Sequence, residues 1–80
     1  MRLEIFMAKL KQVEGSVLVR FLLKRGFSVV RPKGSHVFLS NPEGVKEVVP
    51  VHAGKQIPAG LLLKILKNTG IEKDDYQQNI

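Results

Sequence analysis

FSVVRPKGSHVFLSNPEGVKEVVPV, residues 27–51, is the stretch that decides the fold, because it contains three short β-prone runs. The runs are residues 27–31, 36–40 and 46–51, and the two connections between them are rich in turn-forming Pro, Gly, Ser and Asn. Connections this short join antiparallel strands, so the pattern predicts a three-stranded antiparallel meander. Pro50 cannot donate a ladder hydrogen bond, which indicates that the third strand lies at an edge of the sheet.

An amphipathic helix is predicted on each side of this meander. Ser16 can cap a helix over residues 16–25, and Gly26 suits the position just after its end. Pro58 suits the first turn of a second helix, which Gly70 ends. The apolar stripes that mark the two helices are Val17, Leu18, Phe21 and Leu22 in the first, and Leu61, Leu62, Ile65 and Leu66 in the second.

The order of helix, three strands and helix predicts a single two-layer α+β domain over residues 1–80. Both helices can bury their stripes on one face of the sheet, which leaves the other face open to solvent or to a ligand. A short acidic turn or helix is expected at residues 74–76. Residues 1–7 are a possible N-terminal extension, since translation could start at Met1 or at Met7.

Charge and composition favour a nucleic-acid partner. Thirteen Lys and Arg face seven Asp and Glu, and the resulting net charge of +6 attracts polyanions by releasing their condensed counterions. No apolar run is long enough to span a bilayer, and we expect no membrane partner. The absence of cysteine fits a cytoplasmic location and excludes thiolate metal ligands, and we expect no metal or other cofactor.

His36 is the candidate catalytic residue. RNA can be cut with its own 2′-hydroxyl as nucleophile, which needs a base and an acid, and histidine serves both roles near neutral pH. His36 directly follows Lys33, Gly34 and Ser35. Lys33 can hold a phosphate by its charge, and Gly34 lets a phosphate approach the backbone. The alternative at this point is an ordinary hairpin turn followed by an ordinary strand histidine.

His52 follows the third run and has three interpretations: a second acid or base, a phosphate ligand, or a strand-end residue bonded to the backbone. Lys55 precedes the second helix, whose N-terminal dipole could help it hold a phosphate. Strand ends gather at one edge of a meander, but the sequence does not show whether the two imidazoles meet. The candidate RNA- and phosphate-binding set around His36 is therefore Lys33, Gly34, Ser35, His52 and Lys55.

Five local sequences occur in order over roughly residues 9–76. They are Gly26-Phe27, Lys33-Gly34-Ser35-His36, Asn41-Pro42-Glu43-Gly44, Val49-Pro50-Val51-His52, and the helix that starts at Gly60-Leu61 and is followed by Gly70-Ile71. In this order and spacing they resemble the HicA-type (YcfA-like) toxins of bacterial and archaeal toxin–antitoxin pairs. The resemblance departs at Leu61, where the family often has a threonine hydroxyl.

The resemblance implies a fold like that of double-stranded RNA-binding domains and activity as an mRNA interferase, an endoribonuclease that cuts mRNA. It also implies that the histidine of the Gly-Ser-His motif, here His36, is catalytic, and that a HicB-type antitoxin binds the toxin and masks its active site. Two other functions stay open for the same fold and charge. One is a non-catalytic double-stranded RNA-binding module, and the other is a subunit that binds only proteins.

Overall fold

Three antiparallel strands in the order β1-β2-β3 form the sheet in the computed structural model, which describes residues 10–80. Strand β1 spans Ser28–Lys33, β2 spans His36–Ser40 and β3 spans Lys46–Pro50. The predicted meander is confirmed, and Pro50 lies on an edge strand as expected. The possible N-terminal extension at residues 1–7 lies outside the described residues.

Three helices accompany the sheet. Helix α1 spans Gly15–Lys24, α2 spans Ala59–Thr69 and the short α3 spans Lys73–Asn79. The predicted α-β-β-β-α order is confirmed, and α3 is the acidic element expected at the end of the chain. Among the described residues, no helix combines the length and the apolar character needed to cross a membrane.

The core lies between the two longer helices and one face of the sheet. The predicted stripe of α2 faces it, and so do Leu18, Phe21 and Leu22 of α1. Val17 was predicted in that stripe but is only half-buried, and Val19 is buried in its place. Strands β2 and β3 contribute Leu39 and Val49. Burying each large apolar side chain stabilises the fold by roughly 1.5–3 kcal/mol. The buried apolar residues are Leu18, Val19, Phe21, Leu22, Phe27, Leu39, Val49, Ile57, Leu62, Ile65, Leu66 and Tyr76.

We call the other side of the sheet the open face. Because side chains alternate along a strand, it carries His36, Phe38 and Ser40 of β2 and Lys46, Val48 and Pro50 of β3.

Helix α1 begins one residue before the predicted start, and the prediction that Ser16 caps it is wrong. Glu14 is the N-cap residue and makes no side-chain cap hydrogen bond, while Ser16 is exposed in the first turn. Gly15 lies so close to β3 that an added Cβ would stand 1.9 Å from the Pro50 carbonyl oxygen. Only glycine fits at this position, and the close contact fixes the start of α1 against the sheet.

The first turn is tighter than the sequence predicts. Pro32 and Lys33 continue β1 instead of belonging to the turn. Proline is tolerated there because β1 is an edge strand. The remaining two-residue turn has Gly34 first, with φ of +58°, and Ser35 second. A positive φ at the first position of such a hairpin turn favours glycine.

A β-bulge at Val30 decides which side chains of β1 reach the open face. Pairing with β2 runs as far as Val29 and resumes at Arg31 opposite Phe38, so Val30 is an extra residue. Without it, strict alternation would turn Arg31 toward the core side of the sheet. The bulge instead places Arg31, and Lys33 two residues later, on the open face.

Helix α3 is fastened to the end of α1 by an ion pair. Arg25 Nε and Nη2 donate hydrogen bonds of 2.7 and 2.6 Å to the two carboxylate oxygens of Asp75. The hydrogen bond from Arg25 holds the pKa of Asp75 below its ordinary value. The next residue, Tyr76, is fully buried and packs edge-on against Phe21, with ring centroids 5.5 Å apart.

Gly15→Ala should lower the free energy of unfolding by about 1–3 kcal/mol, the usual cost of overpacking. Gly60→Ala is the matched control, because Gly60 is also helical and nothing lies within 4 Å of its added Cβ. The control should stabilise the protein by about 0.4–1 kcal/mol. Urea unfolding of both variants measures the difference, and equal effects would contradict the close contact at Gly15.

Asp75→Asn should lower the free energy of unfolding near neutral pH and have little effect in strong acid. Because the folded-state pKa is lowered, the stabilisation is present above the unfolded-state pKa and is lost as pH falls through the folded value. Asp74→Asn removes the same charge from the exposed neighbouring residue and should leave this pH dependence unchanged. Urea unfolding across the acidic range compares them, and the same profile in both variants would rule out the ion pair as its source.

Candidate nucleic-acid interface

The two histidines lie together on the open face. His36 is the exposed first residue of β2, and Pro50 is its direct partner on β3. His52 lies two residues beyond Pro50, which makes it the diagonal neighbour of His36 on the same side of the sheet. The ring centroids are 6.3 Å apart and the ring planes meet at 78°. The structure thus answers the question that the sequence left open, because the imidazoles do meet.

Backbone hydrogen bonds hold the segments that carry the two rings. The N–H of Val51 donates to the Ser35 carbonyl at 2.6 Å, so the pairing of β2 with β3 extends into the first turn. The N–H of Gly54 donates to the Glu14 carboxylate at 3.2 Å, which ties the loop after His52 to the start of α1. The first bond constrains the backbone next to His36, and the second constrains the loop that follows His52.

A concave site, which we call the histidine hollow, opens between the two rings. Its volume is about 540 Å³, and its lining residues are Lys33, Gly34, Ser35, His36, Phe38, Val48 and His52. Lys33 is the direct partner of His36 across β1 and β2. The hollow combines a cation, an accessible glycine backbone, a serine and two imidazoles, so it brings four of the five predicted phosphate-binding residues together with His36.

Lys55 is the predicted residue that lies apart from this group. It lines a different hollow, together with Gln56 and Pro58, and His52 is the one candidate site residue that borders both hollows. Helix α2 begins only at Ala59, so Lys55 precedes the helix by a full loop segment rather than standing at its first turn. The geometry favours Lys33 over Lys55 as the cation nearest to His36.

The same face has an aromatic part that was not among the residues predicted from the sequence. Phe38 and Val48 pair directly across β2 and β3 and line both the histidine hollow and a second cavity. The Arg31 guanidinium lies 5.3 Å from the centroid of the Phe38 ring. Alternation along β2 could have placed Phe38 beside His36. The bulge that brings Arg31 to the ring depends on strand register, which the sequence pattern did not reveal.

Positive charge dominates the open face. Arg31, Lys33 and Lys46 line its two cavities, and Glu47 is the acidic residue among the lining groups. The Glu47 carboxylate accepts a 2.9 Å hydrogen bond from Asn68 Nδ2, so one of its oxygens is already bonded to α2. A phosphate backbone laid on this face would therefore meet mainly cations. Within residues 10–80, no group of three or more His, Cys, Asp or Glu is placed to hold a metal ion.

Fold and site together define a small α+β domain of the double-stranded RNA-binding type, with a basic face that carries two histidines. The model of the HicA toxin of bacterial toxin–antitoxin systems matches residues 15–71, and the chain belongs to this family. Members of the family are generally endoribonucleases, and membership implies an RNA target and an antitoxin partner. Among curated proteins, none matches this chain.

Proposed function

We propose that this protein is a metal-independent endoribonuclease, an mRNA interferase, in which His36 acts as the general acid/base and which a HicB-type antitoxin neutralises. The observation that carries the proposal is the pair of imidazoles, 6.3 Å apart beside Lys33 on an accessible face. Membership of the HicA toxin family supports ribonuclease activity. Since mRNA is the substrate, we expect the enzyme to act in the cytoplasm.

The chemistry needs only proton transfer and charge stabilisation. His36, as base, takes the proton of the RNA 2′-hydroxyl, and that oxygen forms a bond to the adjacent phosphorus. The bond from phosphorus to the 5′-oxygen of the next nucleotide breaks, and this oxygen takes a proton from an acid. The products are a 2′,3′-cyclic phosphate and a free 5′-hydroxyl, so protons and electron pairs balance without a cofactor.

His52 is our candidate for the acid. A hydrogen bond between an imidazole and a phosphate oxygen spans about 2.6–3.2 Å, so both rings can contact opposite sides of one phosphate group. Lys33 would stabilise the charge that develops on the non-bridging oxygens. The backbone at Gly34 and the Ser35 hydroxyl would complete the phosphate contacts on the side of the first turn.

Neutralisation by the antitoxin would follow from the position of the site. The histidine hollow lies on an open face of the domain rather than in a closed cleft. A HicB-type protein bound over this face would exclude RNA from His36 without altering the fold. Its acidic groups would find Arg31, Lys33 and Lys46 as partners.

His36→Ala should abolish RNA cleavage and growth arrest while leaving the circular dichroism spectrum unchanged. The exposed ring supports no part of the core, and loss of a proton-transfer group costs about 10²–10⁴-fold in rate. The assay incubates purified protein with labelled RNA and a chelator, and the wild type should release fragments that end in cyclic phosphate.

Full activity of His36→Ala would remove this residue from the mechanism. Shifted but intact RNA with the wild-type protein would instead support the non-catalytic RNA-binding module. Cleavage that stops on addition of the chelator would contradict metal independence.

His52→Ala and His52→Asn should each slow cleavage by about 10²–10⁴-fold, because neither side chain can deliver a proton to the leaving oxygen. The bell-shaped pH dependence of kcat expected for the wild type should lose one limb. Gln56→Ala, an exposed change in the same loop, is the control and should keep both limbs. Recovery of the rate in His52→Asn would show that His52 only hydrogen-bonds the phosphate.

A further inference from the structure

We propose that the open face beside the two histidines holds an unpaired nucleobase of the RNA, stacked on the ring of Phe38, so that single-stranded RNA is the preferred substrate. This inference rests on the proposed nuclease function and adds a base-binding subsite to it. The subsite is a cavity of about 620 Å³, which we call the Phe38 cavity. It is lined by Val30, Arg31, Phe38, Ser40, Lys46 and Val48, with Leu39 and Glu47.

The Phe38 cavity and the histidine hollow are neighbours on the open face. Phe38 and Val48 line both of them, so the two sites adjoin at these two side chains. Phe38 is two residues from His36 on the same strand and the same face, a distance of about 6.6 Å along β2. A nucleotide whose phosphate lies between the imidazoles therefore has an adjacent base within reach of the Phe38 ring.

The side chains at the Phe38 cavity have the chemistry that recognises a base. Unpaired bases stack on aromatic rings and on planar guanidinium groups, and here Arg31 lies 5.3 Å from the Phe38 ring centroid. Val48 supplies an apolar surface next to the ring. The polar rim, with Ser40 and Lys46, can hydrogen-bond the edge of a base. A site for phosphate alone would have no use for the aromatic ring.

The charge of the rim favours RNA over an apolar protein segment as the occupant. Arg31, Lys33 and Lys46 surround the apolar centre, and they complement a phosphate backbone that crosses the sheet. A base inside an A-form duplex is stacked and paired, and the deep major groove keeps side chains from it. Only a base that has left the stack can place its face on Phe38.

Binding of uncleavable RNA tests the subsite separately from the nuclease. 2′-O-methyl RNA lacks the nucleophilic hydroxyl, so its affinity does not depend on whether His36 is catalytic. Phe38→Leu should weaken binding of the single strand by about 5- to 150-fold, the range for one base–aromatic stack. Phe38→Tyr keeps the aromatic face and should bind like the wild type. Neither variant should change the affinity for an abasic strand with the same backbone.

A spectroscopic signature follows from the absence of tryptophan in this sequence. Phe38→Trp would introduce a single indole on the open face, and a base stacked on it should quench its fluorescence. Quenching should occur with the 2′-O-methyl single strand, and should be absent with the abasic strand and with the blunt duplex of the same sequence.

Three results would overturn the base subsite. They are equal weakening of single-stranded and abasic RNA by Phe38→Leu, equal affinity for duplex and single strand, and an effect of Phe38→Leu on antitoxin binding alone. If ordinary RNA is not cut while the stacking results hold, the nuclease proposal fails and the subsite stands. If His36→Ala is inactive while Phe38→Leu binds RNA normally, the base subsite fails and the nuclease proposal stands.

Discussion

The register of β2 against β3 is the constraint on which the candidate site depends. It sets His36 opposite Pro50 and thereby makes His52 a diagonal neighbour on the same face. A slip of one residue would move every side chain of β3 to the other side of the sheet and separate the rings. The register is secured where Gly15 rests on the Pro50 carbonyl and where Val51 bonds to the first turn.

The sheet divides its two faces between stability and recognition. Leu39 and Val49 face the helices and are almost completely buried, while Phe38 and Val48, one position away, stay partly accessible. Because the side chains that pack in the core lie on one face of the sheet, the side chains on the open face can be charged or polar without loss of core packing. The bulge at Val30 extends this division to β1, since it turns Arg31 toward the open face.

Much of this architecture could be predicted from the sequence because it rests on local patterns. The stripes around Leu18 and Leu62, and the glycine that ends α2, identify the elements and their order. Predictions failed where a tertiary contact overrides local preference: Gly15 against β3 displaces Ser16 from the cap position, and the edge position of β1 admits Pro32 into a strand. The candidate phosphate-binding set around His36 was predicted from a short motif, whereas the proximity of His52 and the position of Phe38 on the open face depend on strand register.

Prolines on both outer strands restrict how any macromolecule can join this domain. Pro32 lies in β1 and Pro50 in β3, and neither has an N–H to offer at the margin of the sheet. An incoming strand would meet an interrupted row of donors on either side, which disfavours growth of the sheet by addition of a neighbour's backbone. Association is thereby directed to side chains on the broad surface, and the chain is protected from edge-to-edge self-assembly.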